Sequence, residues 1–261
     1  MTEYASVPPI KEANRITRLW REHGPNTYPI DLSLVVEHII NPTLDGERLH
    51  LVYSDFDTYD GMLNTRDGKK WGAFVNEKIP YKGRKNFTAA HEIFHFLAHR
   101  QTVKEFRCGD LELSDYRLNK LEIEANEFAS HLLLPPDKIR PYVNGEFTYD
   151  AVKAVADDLG ASVSAVAYKW LSLTARPVAF FQSRNGFVSQ GYASESAYKR
   201  GIYFKEEKEI PQGSSTQKCQ DASNHIASGF DPGLWHPELG GYEDVYQTSF
   251  EEFTYTFLRF Y

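Results

Sequence analysis

The sequence predicts an α+β fold. Two stretches, residues 88–101 and 116–133, carry apolar side chains at three- and four-residue spacing and read as strong helices. Short β-like runs bounded by Gly, Pro, Ser and Asn lie before and after them. With 261 residues, of which 41% are hydrophobic, the chain is long enough for one large domain or two small ones with a real core.

The elements follow in order. Ile10, Ala13, Ile16, Leu19 and Trp20 mark a helix over 10–24, closed by Gly24. Asp31 is placed to cap a second helix with Leu34, Val35, His38 and Ile39 on one face. Residues 49–55 read as a strand, and 61–79 as two strands around the Asp67-Gly68 turn. The polar run Lys82–Asn86 breaks the pattern, so the next helix is expected to start at Thr88 as its N-cap. The helix over 116–133 stops at Pro135-Pro136. Two shorter helices, 148–158 and 162–173, flank a Gly160-Ala161-Ser162 turn. Beyond Arg176, residues 177–182, 186–192 and 253–261 read as strands, and 211–241 as loops.

Charge and cysteine usage exclude several classes. The net charge is −7, from 29 Lys and Arg against 36 Asp and Glu, so the chain repels a phosphate backbone and DNA is not the expected partner. Two cysteines, Cys108 and Cys219, are far apart and outside any CxxC pair, which excludes a cysteine zinc site and argues against a disulfide framework. No run approaches a membrane span, and the N-terminus lacks a basic start followed by an apolar run, so a cytoplasmic location without membrane association is expected.

The chemistry lies in His91-Glu92-Ile93-Phe94-His95. Four residues of α-helix turn by about 400°, which puts His91 and His95 on one face roughly 6 Å apart, as two imidazoles chelating one tetrahedral metal require. Glu92, one residue along, faces the open side and can take a proton from water and return it to a leaving amine. A catalytic zinc needs a third protein ligand. His99 is about 12 Å along the axis from His91 and reads as an outer-shell or packing residue; no Gly follows His95 until Gly109 to turn the chain back. His131 reads as structural. Glu122 is the best candidate, because Asn126 shares its face at i, i+4 and can accept from the ring N–H of a ligating histidine. Glu124 is about 200° round the helix and is expected to face elsewhere. The bland alternative makes Glu122, Glu124 and Glu127 a solvated acidic face.

The segments TAAHEIFHFLAH and EIEANEFASHLLLP, with Phe87-Thr88, His99 and Pro135, resemble the ImmA/IrrE family of zinc metallopeptidases over about residues 30–136, and more weakly to 173. The resemblance implies a minimal gluzincin-like core, His91, His95 and Glu122 as metal ligands, and Glu92 as the catalytic acid–base residue. The metal implied is Zn2+, with another divalent ion such as Mn2+ as the alternative. It also implies a protein substrate, a helix-turn-helix transcriptional repressor. Ile93-Phe94 replace the common Leu-Gly, which changes packing beside the metal without removing a ligand.

The expected organisation is a metallopeptidase core over 1–136, a helical extension resembling a helix-turn-helix over 137–175, and a C-terminal β-containing domain over 176–261 for sensing or substrate docking. The second helix of the extension carries only Lys169, and Asp157 and Asp158 precede its turn, so packing on the core is preferred to DNA binding. The strand around Ala73–Glu77 is expected to present its backbone to an extended substrate. The competing class is a non-catalytic regulatory partner with a structural or silent metal site. Retention of Glu92 argues against it.

Overall fold

A computed structural model describes residues 7–101, 105–108, 116–222, 224–248 and 253–261. Gly109 lies outside the described residues. Helices and sheets are both present, and the fold is α+β. The chain divides into two compact units: the chain up to Pro135 with Ala156–Ser162, and Pro136–Val155 with Val163–Tyr261.

In the first unit, α1 (Pro9–His23) buries Ala13, Ile16 and Trp20, the periodic face of its sequence. The Asp31 carboxylate caps α2 (Leu32–Leu34) by accepting from the N–H groups of Ser33 and Leu34, and the helix continues as a π-turn over Val35–Ile40. A four-stranded sheet has the order β1-β3-β2-β4, from β1 (Arg48–Ser54), β2 (Gly61–Thr65), β3 (Lys70–Asn76) and β4 (Glu105–Cys108). Pairing is parallel for β1 with β3 and antiparallel elsewhere. Helix α3 (Lys82–Phe94), extended by a π-turn over His95–His99, packs on β2 and β3 and against α4 (Tyr116–Leu133). Enclosed in this way, α3 has no solvent face in its second half: Thr88 through Phe96 are all buried.

Two expectations fail here. Helix α3 starts at Lys82, and Thr88 is a buried interior residue rather than a cap. Its first two turns pack without apolar periodicity: the Asn86 amide donates to the Gly160 carbonyl at 2.8 Å, and Gly83 abuts the backbone of Ala161 and Ser162 so closely that a Cβ has no room. Strand β3 is interior and paired along both edges, so its backbone has no hydrogen-bonding groups to offer a substrate.

In the second unit, a five-stranded antiparallel sheet has the order β6-β5-β9-β8-β7, from β5 (Val178–Arg184), β6 (Phe187–Ala193), β7 (His225–Phe230), β8 (Gly241–Gln247) and β9 (Thr254–Phe260). Phe181, Val188, Phe204, Trp235 and Leu258 belong to one core cluster on it. Short helices α5 (Pro136–Ile139), α6 (Tyr149–Leu159), α7 (Val163–Leu171), α8 (Glu195–Tyr198) and α9 (Ser215–Ala222) complete the order of elements. The expected loop over 211–241 contains α9 and β7. Strand β7 is an edge strand exposed at most positions, so it lacks the apolar alternation that reveals a strand. Among the described residues, no helix is long and apolar enough to cross a membrane.

Candidate metal centre

Helix α4 approaches α3 closely because Ala125 and Ala129, both fully buried, leave room at the contact. Phe94 stacks on Phe128 with ring centroids 4.8 Å apart and meets the His99 ring edge-on at 5.2 Å. The bulky residue inside the HExxH thus fills space between the two helices.

This packing brings His91, His95 and Glu122 together. Their donor atoms all lie within 4.8 Å of one another, with His91 Nε2 3.0 Å and His95 Nε2 3.3 Å from the Glu122 carboxylate. The two Nε2 atoms are 2.8 Å apart. Asn126 Oδ1 lies 2.9 Å from His91 Nδ1 and, as a carbonyl oxygen, accepts its proton. His95 Nδ1 faces His99 Nδ1 at 2.9 Å, and His99 Nε2 lies 3.2 Å from Glu124 Oε2. Glu124 is absent from the donor triad, and His131 turns its Nδ1 to the Glu127 carbonyl one turn back.

The electrostatics are consistent with a site built around a cation. Burial disfavours charge on His91, yet the Glu122 hydrogen bond, the nearby Glu92 charge and Asn126 outweigh it and raise its pKa. Burial drives His95 down to about 4, with Glu122 only partly opposing. Burial likewise lowers His99 despite Glu124, which leaves a neutral ring. Burial works against the Glu122 carboxylate, but His91 and His95 overcome it and hold its pKa far below the usual range. Without a metal, these shifts favour the charged form of His91 beside an ionised Glu122 and the neutral form of His95, which offers a lone pair.

Two imidazole nitrogens and a carboxylate converging on one point, with both far ring nitrogens engaged elsewhere, form a donor set suited to a divalent metal. His91, His95 and Glu122 would hold it. Glu92 is fully buried, and its position is set by β2: a Cβ at Gly61 would lie 2.6 Å from Glu92 Oε1 and 2.5 Å from Thr88 Cγ2. Only glycine lets the strand pass this close. Gly61 and the Glu124 contact escape sequence reasoning. The repeat of the four-residue histidine spacing at His99 was the available signal for the second; Gly61 carries none.

A helix-borne His-Glu-x-x-His segment, a glutamate from a second helix and a sheet packed behind the first define a metallopeptidase-type domain. Residues 47–171 match the IrrE N-terminal-like domain of peptidase family M78, and this match supports membership of the ImmA/IrrE family for that segment. No curated protein matches the chain.

Proposed function

We propose that this chain is a zinc-dependent endopeptidase of the cytoplasm that hydrolyses a peptide bond in a protein substrate, with Glu92 as its acid–base residue. The observation that carries the reading is the pairing of the His91–His95–Glu122 donor set with a buried carboxylate on the same helix. A site with a purely structural ion has no use for that carboxylate.

His91, His95 and Glu122 bind the ion through two nitrogens and one oxygen. Zinc, when bound there, supplies Lewis acidity for the scissile carbonyl and lowers the pKa of water. Glu92 accepts the proton of the attacking water and delivers it to the leaving amine. The close passage of Gly61 confines that carboxylate, so that little motion is needed at the moment of transfer. The substrate class, a helix-turn-helix repressor, is supported by the family resemblance alone. DNA is not part of the proposal, because Lys169, the basic residue of α7, is buried.

The test is Glu92→Gln, which preserves size and removes the proton acceptor. Incubated with a repressor encoded beside the gene, the variant should fold and hold metal like wild type but cleave ~10²–10⁴-fold more slowly. Equal cleavage by both forms removes Glu92 from the mechanism. Tight binding without cleavage by either form favours a regulatory binding protein instead.

A further inference from the structure

The peptidase reading needs His95 to present a bare Nε2 to the metal, and a neutral imidazole can do this only if its proton sits on Nδ1. Nothing within His95 itself decides between the two tautomers. The decision lies in what Nδ1 meets. Here it meets another histidine: His95 Nδ1 and His99 Nδ1 are 2.9 Å apart. One of the two must donate. The far side of His99 resolves which, since its Nε2 faces Glu124 Oε2 at 3.2 Å, and an ionised carboxylate only accepts. His99 therefore spends its single proton on Glu124. Its Nδ1 is left as an acceptor, His95 Nδ1 donates to it, and His95 Nε2 is bare.

The backbone is shaped to allow this. Residues His95–His99 form a π-turn, in which the hydrogen bond closes over five residues, so a turn takes more than four. His99 then falls just short of one full turn from His95, and the two rings meet at a centroid distance of 5.0 Å. Arg100 secures the end of this turn. Its guanidinium donates to the carbonyls of Phe96 and Leu97, at 2.9 and 3.1 Å, and pairs with Glu47 at 2.9 Å. Phe94 braces the His99 ring edge-on.

We propose that Glu124, His99 and His95 form a directional hydrogen-bond relay in which Glu124 and His99 are positioning residues that fix the tautomer of His95 and thereby its readiness to take a metal. The relay rests on the peptidase reading only for its purpose. Its geometry stands in the metal-free chain, and there it is tested.

Long-range 1H–15N correlation spectra of metal-free protein report which ring nitrogen of His95 is protonated, and chelator competition reports zinc affinity. Wild type should show His95 protonated at Nδ1 and bare at Nε2. Glu124→Leu, at the partly exposed outer end, should give mixed His95 tautomers and weaken zinc by ~10–100-fold. Glu124→Gln keeps a carbonyl acceptor and should restore both readouts to within a few-fold of wild type. His99→Phe fills the ring's place beside Phe94 and should match Glu124→Leu. A His95 protonated at Nε2 in wild type, or unchanged tautomer and affinity in Glu124→Leu, overturns the relay. Altered tautomer and affinity in a protein that never cleaves peptides supports the relay and defeats the peptidase reading alone.

Discussion

Both units of this protein bury ionisable groups, and they do so in opposite ways. In the second unit, Glu243 is almost fully buried and accepts from Ser215 N, Thr216 N and Thr216 Oγ1 at 2.6–2.9 Å. Its neighbour Asp244 accepts from Tyr149 N at 2.6 Å and pairs with His225 at 2.7 Å. These carboxylates close the first turn of α9 and tie down the start of α6; every contact joins an acceptor to a donor. In the first unit, His91, His95 and Glu122 direct acceptor atoms at one another. Acceptors facing acceptors need a cation between them, whether a proton or a metal. Burial of charge thus does not by itself mark chemistry. The mark is what remains after the hydrogen bonds are assigned.

The largest effect expected from this contrast is on metal binding. His95→Ala or Glu122→Ala should weaken zinc by more than the ~100-fold that loss of an outer-shell partner costs, read by chelator competition. Glu243→Ala should leave the zinc content of folded protein unchanged. Comparable losses in all three variants would abolish the distinction between the two kinds of buried carboxylate.

Next in size is the stability of the second unit. Glu243→Ala strands two buried N–H groups, while the Thr216 hydroxyl keeps Thr256 as a partner, and should cost about 3 kcal/mol in denaturant unfolding. A loss under about 0.5 kcal/mol would mean the α9 cap is dispensable, as for an ordinary surface substitution.

A smaller effect belongs to the contact between β2 and the Glu92 carboxylate, the proposed acid–base group. Gly61→Ala should displace Glu92 and lower kcat by up to roughly 10²-fold with zinc content intact. Partial recovery in Gly61→Ala combined with Glu92→Asp, whose shorter side chain makes room, would show that the two residues touch directly.

The smallest effect is a pH dependence. Because the His91 pKa is raised, the metal-free site holds a proton that an incoming ion must expel. Zinc affinity should therefore fall about tenfold for each unit that pH drops below the His91 pKa, and level off above it. Below that pKa, calorimetric titration in buffers of differing ionisation enthalpy should count one proton released from His91 per ion. A flat affinity profile would place the proton elsewhere.

Much of the first unit is legible in the sequence because its helices are amphipathic or enclosed. The apolar spacing over residues 88–101 and 116–133 locates α3 and α4 before any coordinates are known, and the shared face of Glu122 and Asn126 points to the third donor. What escapes is set by partners distant in the chain. The first turns of α3 are held by Asn86 and Gly83 against residues 160–162, which leaves no apolar repeat to read. Helix α9 is capped by Glu243, 27 and 28 residues away, so its start looks like a polar loop. The strand order that makes β3 interior depends on its parallel pairing with β1, which no hairpin turn announces in the sequence.

The ion pair between His91 and Glu122 bears on how the protein matures. A zinc finger cannot close until its ion arrives, because nothing else neutralises its ligands. Here a newly synthesised chain can offset the Glu122 charge with a proton on His91, and α3 and α4 can dock before any metal is present. If the proposed site loads a metal, folding and metal loading would then be separable events, with a folded, protonated form as the species that receives the ion. Far-UV circular dichroism and the unfolding cooperativity of chelated protein should accordingly match those of the zinc-loaded form, with only the midpoint shifted.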